Sequence, residues 1–555
     1  MVDANVQFEQ IVREYWNFRL AQDPVRATEL GVHLYDGVLS DRSQSKVGQY
    51  VKKEKRFLQK FKKINYKDLT DDNRIDRELA LGNLYFRIKI EERHPSFRTS
   101  PTSYVEEITR GIYPLITRNF GPPEVRAQNL SKRLAATPVY LAKAKKNLKN
   151  PPKEFTQAAY LSVQGTLDFL KDAVPAFAKD VPPKARVKLN VALREASDAL
   201  VDYRKFLKDD LLQRSKGRFA LGKELFDILL RKVHHVHLSA DDIRKLGEKE
   251  LKVAKKNLAA VAKELDKTKS SSKKAKSKTP DWEALFKKYS RRVPKAERLL
   301  DVYKREVDRA RKFVVTKKLF DLPAEENLQV VYTPEFARPT VPYATYLPPA
   351  PFESDQKGYF WVTSAPQSCS PAEWKQRMAF HATLQIPGVV VHETYPGRHL
   401  QTIKAGRVGR PLRYLMADSV FVEGWALYCE QLMLESNFFK DPASKLFIYR
   451  AELFRACRAI IDVGLHTGKM GFDEAVDFLA SEAKLNPEDA EAEVRRYCTS
   501  PTEPLSYLIG KKMIMDLRKD YKAKKQRKFS LLDFHERVLA CGPIPIGAIK
   551  KLMEL

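Results

Sequence analysis

No run of apolar residues in this chain approaches the roughly twenty needed to cross a bilayer as a helix, so insertion by hydrophobic helices is excluded. Cysteine is scarce and scattered. Cys369, Cys429, Cys457, Cys498 and Cys541 form an odd set without CxxC spacing. That pattern excludes a disulfide framework and a cysteine-held zinc, fits a reducing compartment, and leaves small buried apolar side chains as the reading of each. Acidic residues are outnumbered, 70 Asp plus Glu against 100 Lys plus Arg, for a net charge of +30. The excess is spread through segments such as KKEKRFLQKFKK and LAKAKKNLKN, with no zinc finger or aromatic RNA-binding signature beside it. Solvated lysine faces follow, with no nucleic-acid partner expected beyond nonspecific attraction, although anionic peptides would be drawn to such a surface. The opening residues, MVDANVQFEQ, lack the basic and apolar regions of a secretory signal, and cytoplasmic residence is expected.

What is present is a chain of 555 residues, 43% hydrophobic and 10% aromatic, long enough for a large core. Phe8, Ile11, Val12, Tyr15, Trp16 and Leu20 recur as a helical stripe, and Asp23-Pro24 marks the next helix start. Charged amphipathic segments continue through 42–64, 71–92, 122–148, 155–179, 182–212, 244–265 and 282–317. Between the last two, 267–280 is basic and low in complexity and is expected to be a disordered loop. The character changes at Leu328. LQVVYTPEF and YFWVTS read as strands on either side of a proline-rich loop. The fold class expected is therefore mainly α, one helical domain spanning 1–555 with a small β-sheet. The free edge of such a sheet can hold an extended peptide, or the hairpin can simply pack the core.

The chemistry concentrates in Ile386 to Gln401, IPGVVVHETYPGRHLQ, where His392-Glu393 follows an apolar run and a second imidazole, His399, follows Pro-Gly. In an HExxH helix two histidines one turn apart hold zinc, and the Glu activates the metal's water. Here the residue four after His392 is Pro396, which offers no ligand and interrupts a regular helix. On an unbroken helix His399 would lie about 10 Å along the axis from His392, beyond the reach of one ion. If both bind one metal, the backbone must bulge at Pro396-Gly397. Otherwise the segment is an ordinary helix with solvated or hydrogen-bonded side chains. A further cluster, His234, His235 and His237, precedes Ser239-Ala240-Asp241-Asp242 and reads as a loop and helix start.

Some thirty residues later comes FVEGWALYCEQL, Phe421 to Leu432. A helix beginning near Asp418 would carry Val422, Trp425, Ala426 and Cys429 on one face, with Glu423 beside that stripe. A carboxylate there needs a partner, which a metal or an Arg would supply.

HETYPGRHLQ followed by VEGWALYCE resembles the paired signature of the domain of unknown function 885 family, helical proteins grouped with gluzincin-type zinc metallopeptidases. Segments at 14–36, 459–470 and 507–518 also look like family sequence, so the resemblance covers most of the chain. It implies a zinc-dependent peptidase acting on peptide substrates. His392, His399 and Glu423 would hold one zinc, Glu393 would act as general base, and Tyr507 or His466 would stabilise the oxyanion. One departure stands out. Where the family pattern has His directly after Pro-Gly, this chain has Arg398, whose guanidinium has no lone pair to give a metal. Either His399 takes over, or metal affinity is impaired, or the protein is a catalytically silent relative that binds a peptide or protein partner. A polyanion-binding protein is a further alternative resting on charge.

Overall fold

The computed structural model describes residues 3–267, 281–324, 326–334, 338, 341, 343–365 and 369–555. Helices dominate, and among the described residues there is one sheet, of three strands. Apart from Lys267 the basic stretch 267–280 lies outside the described residues. The N-terminal stripe forms the helix Ala4–Gln22, and Asp23 caps Pro24–Leu30 by accepting from the Arg26 N–H. The segment 282–317 is two helices, Trp282–Ser290 and Leu299–Thr316, separated by a stretch that contains Pro294.

The sheet comprises β1 (Leu328–Tyr332), β2 (Ala344–Leu347) and β3 (Gly358–Val362) in the order β1-β3-β2. β2 arises inside the proline-rich segment expected to be loop. β1 runs parallel to β3 and β2 antiparallel, with Val330 and Tyr346 both paired to Phe360. Phe360 and Val362 of the central strand are fully buried, which fixes the register.

Five helices carry the motifs: α1 (Ile386–Glu393), α2 (Arg398–Ala405), α3 (Ser419–Glu435), α4 (Ser444–Thr467) and α5 (Glu503–Lys525). α3 begins as its sequence requires, with Asp418 accepting from the Phe421 N–H. The expected face is real: Trp425, Ala426 and Cys429 are buried, while Val422 is half-buried. The main core joins N-terminal Phe8 and Leu79, Phe360 of the sheet, Val390 and Trp425 of the motif helices, and C-terminal Phe534. A second core, around Leu134, Phe169 and Leu200, holds together the helices between residues 102 and 206. A third, with Leu258, Cys457 and Tyr497, packs against the outer side of α4.

Candidate functional site

The backbone does break at the Pro-Gly step. α1 ends at Glu393, the Tyr395–Pro396 peptide is cis, and α2 starts at Arg398. The Pro396 carbonyl accepts from Trp425 Nε1 at 3.1 Å and from the Cys429 thiol at 3.3 Å, which pins the turn onto α3. At Gly397 an added Cβ would lie 2.0 Å from the His392 carbonyl oxygen, so only glycine can occupy that corner.

The turn delivers Arg398 to α3. The Arg398 guanidinium donates through Nη2 to Glu423 Oε2, and its Nε lies 3.7 Å from Glu393 Oε2. His399, one residue on, is rotated by about 100° around the helix. It points to the sheet, where its Nδ1 meets the Tyr346 hydroxyl at 3.0 Å. The Tyr346 backbone N–H in turn donates to Glu393 Oε2 at 3.1 Å. His392 faces α3, its Nδ1 2.7 Å from Glu430 Oε1, and Glu430 is also paired with Arg455 at 3.2 Å. Tyr507 of α5 stacks on His392 with ring centres 6.4 Å apart, and its hydroxyl helps to hold the Glu423 charge.

The charges follow from these partners. Burial alone would raise the Glu423 carboxyl, but Arg398, His392 and the Tyr507 hydroxyl outweigh it and hold Glu423 below the usual carboxylate range. Glu430 is likewise held low, burial being outweighed by Arg455 and His392. Burial pushes the His399 imidazole down to about 4, so at neutral pH it is an uncharged ring. The Tyr507 hydroxyl is raised by burial and by the Glu423 charge.

Of the residues expected at the site, His392, Glu393, Glu423 and Tyr507 lie together. His399, the next residue along α2, turns to Tyr346 instead. His466 is elsewhere on α4, fully buried, with Nε2 3.0 Å from the Tyr497 carbonyl and its ring stacked on Phe226. The expected three-ligand set does not fit a zinc ion as placed: among the described residues no group of three or more His, Cys, Asp or Glu converges on one point. The guanidinium takes Glu423, and His399 bonds Tyr346 through Nδ1 while its Nε2 has no hydrogen-bond partner among the described residues. Sequence reasoning places Glu430 with Glu423 in an apolar, aromatic setting without giving it a role, and it missed Arg455 and Tyr346. The spacing of seven between Glu423 and Glu430, two helical turns, was the available signal for that role; Arg455 and Tyr346 arrive from elements distant in sequence and left none. His234 belongs to a structural knot, bonding Asp418 and the Thr502 hydroxyl.

The site thus defines a helical protein with a His-Glu turn and a Glu-bearing helix clasped by a guanidinium. The chain belongs to the family described as bacterial protein of unknown function, DUF885, whose model matches residues 24–553. No curated protein matches it. Two solved structures share the fold, both described as putative lipoproteins. The one from Shewanella oneidensis, of unknown function, is 23% identical over 99% of this chain and 100% of its own, with a TM-score of 0.81. The one from Colwellia psychrerythraea is 18% identical over 99% of this chain and 98% of its own, with a TM-score of 0.83. The cytoplasmic residence expected from the polar opening residues finds no support in these neighbours, both of them described as putative lipoproteins. Among the described residues no helix is long and apolar enough to cross a membrane.

Proposed function

We propose that this chain is a non-hydrolytic member of its family that binds extended peptides, with Arg398 supplying the positive charge a metal would otherwise bring to Glu423 and Glu393. The observation that carries the reading is the ion pair between Arg398 and Glu423. A guanidinium balances the two carboxylates but has no vacant coordination position, so it cannot bind and acidify a water as zinc does.

The peptide's place is supported by the sheet. The Tyr346 N–H is turned away from β3 and given to Glu393, and an extended chain laid along β2 would take over this donor. Beside the strand lies a cleft of about 750 Å³, lined by Thr345, Leu347 and Thr402 and by Arg26, Arg110 and Arg118 with Glu29. Arg26 and Arg110 share Glu29 while Arg118 is paired with Glu353, and the one guanidinium in excess favours peptides carrying negative charge.

A second reading, gluzincin-like zinc-dependent peptide hydrolysis, is favoured by the His392–Glu430 hydrogen bond, since a carboxylate behind an imidazole is how metal-ligating histidines are commonly oriented. It requires Arg398 to leave Glu423 and the unpartnered Nε2 of His399 to be brought to the same point. Zinc analysis and peptide cleavage on the purified chain separate the two. The binding reading expects peptide capture without cleavage and no stoichiometric zinc, with zinc binding gained in Arg398→His. A stoichiometric zinc that is lost in His392→Ala, with cleavage lost in Glu393→Gln, would overturn it.

A further inference from the structure

Arg458 lies on α4 at 6% exposure, its guanidinium 4.3 Å from the Tyr507 ring centre and 5.5 Å from that of Tyr497. Its Nε and Nη2 have no hydrogen-bond partner among the described residues. One turn earlier Arg455 sits over the same Tyr507 ring at 5.6 Å, gives one donor to Glu430, and also has an unpartnered Nε.

The neighbouring acids are already committed. Glu430 serves His392 and Arg455. Asp462, one turn beyond Arg458, accepts from the Thr502 and Leu505 N–H groups at the start of α5. Glu493 is taken by Arg496 and the Tyr497 hydroxyl. Burial drives Asp462 up to about 8, which further weakens it as a counter-charge at neutral pH. Stacking on aromatic rings satisfies the charge of Arg458 in part, but it leaves the planar fork of donors unused, and unmade hydrogen bonds of a buried cation are costly.

We infer that Arg458 is the recognition point for a carboxylate, the C-terminus of a bound peptide. A guanidinium fork matches the two carboxylate oxygens, where an ammonium would offer only a point charge. Tyr507 contacts both Arg458 and His392, so a C-terminus held at Arg458 sets the last peptide residues against the family motifs. The inference rests on the peptide-binding reading and deepens it.

The test is fluorescence anisotropy with a tagged hexapeptide pool of mixed sequence, once with free C-termini and once amidated. The free acids are expected to bind at least tenfold more tightly than the amides, a ratio that collapses toward one in Arg458→Gln. Arg458→Lys keeps the charge and loses the fork, and it is expected to lower the ratio if the Gln variant fails to fold. Equal binding of acid and amide by the unmodified chain overturns the subsite while leaving peptide binding intact. So does an acid preference that survives unchanged in either folded variant. Failure of both pools to bind overturns the peptide-binding reading and the subsite with it.

Discussion

Gly424 and Gly510 meet backbone to backbone where α3 crosses α5: a Cβ built on Gly510 would fall 1.9 Å from the Val420 carbonyl oxygen, and one on Gly424 would fall 2.3 Å from the Gly510 Cα. This contact sets Tyr507, one turn before Gly510, against Glu423, one residue before Gly424. Gly510→Ala must therefore push the helices apart. The expected cost is about 3 kcal/mol, at the upper end of overpacking because the obstacle is backbone. Urea denaturation would show it as a lower midpoint, and an unchanged midpoint would mean that the helices do not cross so closely.

The pair Arg398–Glu423 makes a different prediction. Its side chains are 23% and 15% exposed. Removing one partner by Glu423→Ala leaves a guanidinium short of a counter-charge, at an expected cost of about 2 kcal/mol, less than for a fully buried pair. Replacing both, Arg398→Met with Glu423→Leu, is expected to cost less than the two single changes together, because the paired charges leave as one, although Glu393 loses its guanidinium neighbour and keeps the Tyr346 N–H. A double variant as unstable as the sum of the singles would contradict this account.

The motif segment shows what the sequence could and could not tell. The break at Pro396-Gly397 was legible because proline forbids the helix and glycine permits the corner. The amphipathic face of α3 was legible from its spacing of three and four. Which side chain the corner delivers to Glu423 was not, because one residue of phase on α2 exchanges Arg398 for His399. Nor was β2, since four residues among prolines carry little periodicity. The partner of His399 depends on that strand, so it could not be read locally either.

Tyr346→Phe isolates that partner. Among the described residues the hydroxyl is the one hydrogen-bond partner of His399 Nδ1, and His399 Nε2 already lacks one. Deleting the hydroxyl leaves a buried imidazole with neither nitrogen bonded, at an expected cost of about 1–3 kcal/mol. Calorimetry on the two proteins checks it. If His399 instead turns to face Glu423, the variant keeps its stability and its imidazole NMR shift moves.

Buried imidazoles also set an acid limit. Burial holds His381, His399 and His466 at about 4 and His535 at about 3, against about 6.5 in the unfolded chain. As pH falls below 6.5 the unfolded chain takes up protons that the folded one refuses until near 4. Their contribution is therefore whole above 6.5 and is lost progressively down to that point. Each such group adds up to about 1.4 kcal/mol per pH unit to the slope. Urea midpoints measured between pH 7 and 5 are expected to fall steeply, and His399→Gln should flatten the slope by close to one proton. A midpoint independent of pH across that window would show that these rings are charged, or exposed, in the folded chain.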